Sequence, residues 1–198
     1  MTASSPEMAR GAAPKRQRGH DRVAAILQAS TVLFLDKGYE AVTMTEIAAS
    51  SGTAIGSLYR FFPSKEAVAD ALLRSYTERM GGGLAELRGR APGLSARQLA
   101  DALVDFMLAL HTQRSVAIAL VDARGLEDSR RQLRTAMLAD LCTLLRIVLP
   151  GVQEARLPAM AAAVLQVLKG VVQSGPGFEM EGMMDEYRRL IRAYLETA

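Results

Sequence analysis

The stretch Thr43 to Glu66, "TMTEIAASSGTAIGSLYRFFPSKE", reads as three helix starts within 24 residues. Thr43 with Glu46 three positions on is a capping box, in which hydroxyl and carboxylate satisfy each other's backbone donors. It predicts a short helix to about Ser51, ended by Gly52. Thr53 is placed to cap a second helix, Ala54 to Phe61, which Pro63 breaks, and Ser64 to cap a third. Helices of seven or eight residues do not persist alone, so elements on either side must hold this pair. Ile47 and Ala48 face inward on the first helix, and the small Ala48 lets the second approach closely. Leu58 and Phe61 anchor the second from beneath, and Gly52 supplies a turn in which a Cβ would be strained.

Working outward, Asp21 reads as the N-cap of a helix from Arg22 to Lys37, with Val23, Ile26, Leu27, Leu33 and Phe34 on its buried face and Gly38 as its stop. Downstream, Val68, Leu72, Tyr76 and Met80 line one face of the helix that Ser64 opens. The glycine run 81–83 reads as a hinge or a helix break. Beyond it Ser95 and Gln98 form a second capping box before Leu99, Leu103, Phe106 and Leu110. Val116 to Arg124 is a short apolar piece, and Glu127 to Leu149 a longer helix. Pro158, in a first turn, opens a helix to about Val172, and Gly175–Gly177 separates it from the last helix. Period-two alternation is nowhere sustained. The expectation is an all-α chain with a boundary near residue 81.

Composition narrows the class. The chain has 198 residues, 49% hydrophobic and 23% charged, which suits a folded protein with a sizeable core. Its net charge is only +3, so a nucleic-acid role must rest on where the charges sit. A single cysteine, Cys142, excludes an internal disulfide and fits a reducing cytoplasm. It reads as a small core residue, with a redox-sensing role as the lesser alternative. No apolar leader opens the chain, and the low-charge stretch 157–178 is interrupted too often to span a membrane. With two distant histidines and no HExxH, GxSxG, GxGxxG or phosphate-loop motif, the chain offers no catalytic, metal or cofactor set. It reads as a non-enzyme with no cofactor.

With Leu58 and Phe61 inward, Ala54, Gly56, Ser57, Tyr59 and Arg60 remain for the outer side of the second short helix. Small residues at 54, 56 and 57 let its N-terminus sit deep in a major groove, with Tyr59 and Lys65 reaching phosphates. This is a helix-turn-helix DNA-binding pattern. Residues 1–21, rich in Ala, Ser, Pro and Gly, read as a flexible basic arm. Lys15, Arg16 and Arg18, with Arg22 beyond, would follow a minor groove or the phosphates.

The segment "GYEAVTMTEIA", the segment "SLYRFFPSKE" and the basic arm before the first helix resemble the N-terminal domain of the TetR family of bacterial transcriptional regulators. The resemblance covers about residues 20–75. It implies a homodimeric, ligand-responsive repressor on a palindromic operator of double-stranded DNA, whose C-terminal domain binds a small effector and alters DNA affinity. It assigns a phosphate or base contact to Thr45, recognition-helix contacts to Gly56, Ser57, Tyr59 and Arg60, and a phosphate contact to Lys65. Position 55 departs from the pattern: Ile55 either packs inward or meets a thymine methyl group. The implied division is an arm, 1–21, a helix-turn-helix domain, 22–66, and a ligand-binding and dimerisation domain, 67–198.

In that second domain the segment 157–172 is apolar nearly all round, so both its sides are buried. It is either a central core helix or, with the last helix, half of an intersubunit four-helix bundle. The bundle reading places Met160, Val164, Leu168, Met183, Tyr187, Leu190 and Tyr194 at the dimer interface, with Ala159, Ala161, Ala162, Ala163 and Gly170 allowing close approach. Phe106, Met107, Leu110, Met137 and Leu141 are either core or the wall of an effector pocket for a mainly apolar molecule. His111, Asp122 and Arg124 are polar groups placed to orient a ligand, to cap a helix end or to make a core hydrogen bond.

Overall fold

Why the short helices 44–61 are stable is answered by what surrounds them. In the computed structural model, which describes residues 15–173 and 179–198, the chain is helical throughout and no strand occurs among the described residues. Helix α1 (Lys15–Lys37) leads into α2 (Met44–Ser50) and α3 (Ile55–Phe61), and α4 (Lys65–Arg90) carries the chain away from them. After a 3-10 turn at Ala91–Gly93 come α5 (Ala96–Ala109), α6 (His111–Ala123) and α7 (Glu127–Val148). A second 3-10 turn at Glu154–Arg156 precedes α8 (Leu157–Gln173) and α9 (Glu179–Glu196).

Two apolar cores result. The N-terminal core gathers Ile26, Phe34, Ile47, Leu58, Phe62 and Val68 from α1 to α4. Burying each such side chain contributes about 1.5–3 kcal/mol, which offsets the poor intrinsic stability of α2 and α3. Helix α6 belongs to both cores. Val116 and Leu120 complete the N-terminal one, while Ala117 faces the larger C-terminal core around Leu103, Leu144 and Leu168. Helix α4 is shared in the same way, with Val68 and Leu72 in the first core and Tyr76, Met80 and Leu84 in the second.

Both capping boxes form, Thr43 with Glu46 and Ser95 with Gln98. Three local expectations are corrected. Helix α1 begins at Lys15, so Asp21 lies inside it rather than at its N-cap, and residues 15–21 are helical rather than a loose arm. Residues 1–14 lie outside the described residues, as does the 175–177 break. Thr53 does not cap α3: Ala54 occupies the cap without a side-chain bond, and the buried Thr53 hydroxyl turns back to the Ser51 carbonyl. Finally, Gly81–Gly83 neither breaks nor ends a helix, because α4 runs unbroken to Arg90 and crosses the expected boundary near residue 81. Gly83 lies against the Phe106 ring of α5, where any Cβ would overlap the ring. A glycine that weakens the helix locally is used here for close helix packing.

The other correction concerns α8. Met160, Val164 and Leu168 are 0–1% exposed within a single chain, so they are core and cannot serve an intersubunit face. The buried sides of α8 pack on α5, α7 and α9 of the same chain, while Ala159, Ala163 and Gln166 remain exposed. Gly170 likewise faces Tyr187 of its own chain. Helix α9 divides cleanly: Met184, Ile191 and Leu195 point inward, whereas Met183, Leu190 and Tyr194 are exposed. Ion pairs from Arg188 to Asp105 and from Arg192 to Asp101 fix its register on α5.

Candidate functional site

The turn between α2 and α3 is set by Gly52 at φ +60°, a left-handed conformation, and closed by the Thr53 amide donating to the Ala48 carbonyl at 2.9 Å. With Leu58 fully buried and Phe62 8% exposed, α3 is clamped from one side. Phe62, more than the half-buried Phe61, is the anchor. The opposite side presents Ala54, Ile55, Gly56, Tyr59 and Arg60 to solvent, with Ser57 half-buried at its edge. Ile55, 43% exposed, faces outward with them, which answers the question the sequence left open. Thr45 is exposed in the first turn of α2. Arg60 is steadied by the ring of Phe61, 5.8 Å from its guanidinium.

Lys65 sits differently from its expected role. Its ammonium donates to the carbonyls of Tyr39 at 2.8 Å and Glu40 at 3.0 Å, and lies 4.5 Å from the Tyr39 ring centre. Two of its three donors therefore pin the α1–α2 turn onto α4. Tyr39 in turn meets Phe34 edge-on, with ring centres 5.4 Å apart, and its hydroxyl donates to Glu66. Lys37 donates to Glu46 at 2.8 Å, so the capping box is also an ion pair between α1 and α2. Arg18 is exposed on the first turns of α1, which also carry Lys15 and Arg16.

A second feature lies behind this face. A cavity of about 560 Å³ opens where α4, α6, α7 and α8 meet. Met80, Ile118, Val121, Leu133, Met137 and Leu165 give it apolar walls. Tyr76, Arg114, Asp122, Arg130, Arg134 and Lys169 give it polar ones. Of the residues expected to line a pocket or orient a ligand in it, Met137 and Asp122 do so. Met107, Leu110 and Leu141 are 0–4% exposed and belong to the C-terminal core. Phe106 instead borders a shallower groove of about 470 Å³ between α4 and α5. His111 lines neither space. Arg124 pairs with Asp70 of α4 at 2.5 Å, tying the end of α6 to the stem of the reading face. Asp122 does border the cavity, where it pairs with Arg130. Cys142 is half-buried against the C-terminal core and lines neither space.

Sequence reasoning missed Tyr76, Arg114 and Lys169. The signal for Arg114 was present: Leu110, Arg114, Ala117 and Val121 recur at spacings of four, three and four, placing a cation on an otherwise apolar buried stripe.

Comparison with known proteins agrees with this arrangement. Residues 26–72 match the family of bacterial regulatory proteins known as tetR. The chain is 36% identical over 83 residues to the HTH-type transcriptional repressor KstR2 of Rhodococcus jostii, a stretch covering 42% of this chain and 40% of that protein. It is 34% identical over 82 residues to the HTH-type transcriptional regulator EthR of Mycolicibacterium smegmatis, covering 41% and 38%. The chain thus spans less than half the length of these curated relatives. Among solved structures, a TetR-family transcriptional regulator from Streptomyces coelicolor superposes with a TM-score of 0.69 at 19% identity, over 90% of this chain and 96% of that one. A TetR-like transcriptional regulator from Rhodococcus sp. RHA1 gives 0.65 at 22%, over 93% and 96%. The helix-turn-helix and the helices that clamp it carry the match: residues 26–72 form the DNA-binding segment described by the tetR family of bacterial regulatory proteins, and the fold of the chain is the one these TetR-like structures share.

Proposed function

We propose that the chain is a cytoplasmic, ligand-responsive transcriptional repressor, not an enzyme, that binds a palindromic operator as a homodimer. The observation that carries this reading is the outer face of α3, where small residues at its start leave room for a groove edge and Tyr59 and Arg60 flank them. Helix α3 enters the major groove, Gly56 and Ser57 allow close backbone approach, and Ile55 meets a thymine methyl group. Thr45, Tyr59 and the remaining donor of Lys65 reach phosphates, and Lys15, Arg16 and Arg18 follow the adjoining backbone. The similar proteins named as transcriptional repressors and regulators support the same role.

Dimerisation uses the exposed stripe of α9, Met183, Leu190 and Tyr194, with half-buried Tyr187 beside it. Exposed Ala159 and Ala163 on α8 offer a smooth neighbouring edge. Two reading heads must then stand about 34–36 Å apart to enter successive major grooves. The effector seat is the cavity, since Tyr76 and Met80 in its wall belong to α4, the stem of the head. A molecule that prefers the cavity with α4 displaced changes the spacing and lowers operator affinity. Nuclease protection on DNA upstream of the protein's own coding sequence tests the reading. The expected result is a pair of protected half-sites about one helical turn apart, lost in Tyr59→Ala. Equal binding to every duplex, indifferent to Tyr59→Ala, would overturn it.

A further inference from the structure

Burying a guanidinium is costly unless a carboxylate or a set of acceptors meets it. Arg114, 9% exposed, has only the Tyr76 hydroxyl for a partner among the described residues. The guanidinium donates to the phenol oxygen, which leaves the phenol's own proton free to be donated elsewhere. Arg130, Arg134 and Lys169 also border the cavity, against a single carboxylate, Asp122, which Arg130 already holds. Lys169 is pressed below the usual lysine range by its burial and by the neighbouring arginines, Arg134 first. The wall therefore carries a surplus of positive charge together with thioether and branched aliphatic side chains.

We propose that the cavity takes an amphiphilic organic carboxylate, its headgroup held by Arg114, Tyr76 and Lys169 and its hydrocarbon body laid against Met80, Met137 and Leu165. This rests on the cavity being the effector seat, and it replaces the mainly apolar effector expected from sequence with an anionic one. A carboxylate fits the arrangement for a stated reason. Its two oxygens match the fork of one deep guanidinium and leave an edge for the phenol proton and the ammonium. Arg134, exposed at the mouth, draws the anion inward without holding it.

The test is calorimetric titration of the full chain with straight-chain carboxylates of about eight to twelve carbons, beside alcohols, alkyl phosphates and trimethylammonium salts of matched length. Carboxylates should bind saturably and about tenfold or more tightly than the matched alcohols, a gap of about 1.4 kcal/mol. That preference should vanish in Arg114→Met. Should Arg114→Met fail to fold, Tyr76→Phe and Lys169→Met carry the test, each weakening carboxylates but not alcohols. Alcohols or alkyl phosphates binding as tightly as carboxylates would overturn the proposal, as would absence of saturable carboxylate binding or a preference that survives all three substitutions. The same samples, added to operator-bound protein, separate the two readings. Arg114-dependent carboxylate binding without DNA release retains the ligand class and retires the regulation. Release by alcohols or cations, without carboxylate preference, does the reverse.

Discussion

Glu46 holds three donors outside its own helix. Its carboxylate accepts from the Lys37 ammonium at 2.8 Å and from the amide and hydroxyl of Thr43 at 2.9 Å each. The ammonium first, then the amide and hydroxyl, hold its carboxyl down to about 2, against an ordinary 4.5. A carboxylate depressed in the folded state stabilises that state above its unfolded value and ceases to do so as pH falls through the folded one. The reading head should therefore lose stability between about pH 4.5 and pH 2. Acid titration followed by circular dichroism checks this: Glu46→Gln should flatten that limb, and an unchanged acid profile would show that the three donors do not act together. Thr43→Ala removes the reciprocal cap and should cost about 1 kcal/mol in urea unfolding.

At the scale of elements, the glycine run separates two accounts of α4. Gly81 and Gly82 have open space where a Cβ would go, whereas at Gly83 the Phe106 ring fills it. Alanine at 81 or 82 should stabilise the chain by about 0.5–1 kcal/mol through helix propensity. Gly83→Ala should destabilise it by about 1–3 kcal/mol through overpacking. Operator affinity should be indifferent to alanine at 81 and 82; if both changed it, the run would be a hinge after all. The same elements show what sequence can and cannot carry. The capping boxes, the α2–α3 turn and the outward set from Ala54 to Arg60 were readable because each depends on near neighbours along the chain. The glycine run was misread because its reason lies on α5, far along the chain. Met160, Val164 and Leu168 were misassigned because an apolar pattern says that a face is covered, not which chain covers it. The cavity escaped because core and pocket wall share one composition, and only packing leaves a void beside Arg114.

For the whole molecule, the consequence of Met160, Val164 and Leu168 being internal is a sharp division between two kinds of substitution. Leu168→Ala should lower monomer stability by about 2–5 kcal/mol, as a core truncation does. Leu190→Glu, on a side chain 57% exposed, should leave the fold intact and shift the assembly toward monomer in analytical ultracentrifugation. A dimer that tolerates Leu190→Glu would place the interface elsewhere. Helices α4 and α6 each belong to both cores, and the Arg124–Asp70 pair joins them at the base of the head. On the proposed reading, a change in the cavity would reach α3 through packed helices rather than through a linker. The measurement that tests this most directly is operator affinity of Ile118→Trp, in which an indole fills the cavity from its α6 wall. The chain has no tryptophan of its own, so the emission of the introduced indole reports whether it is buried there. With a blue-shifted, buried indole and an intact fold, operator affinity should fall about tenfold or more. A buried indole with unchanged affinity would contradict the coupling of cavity to reading head.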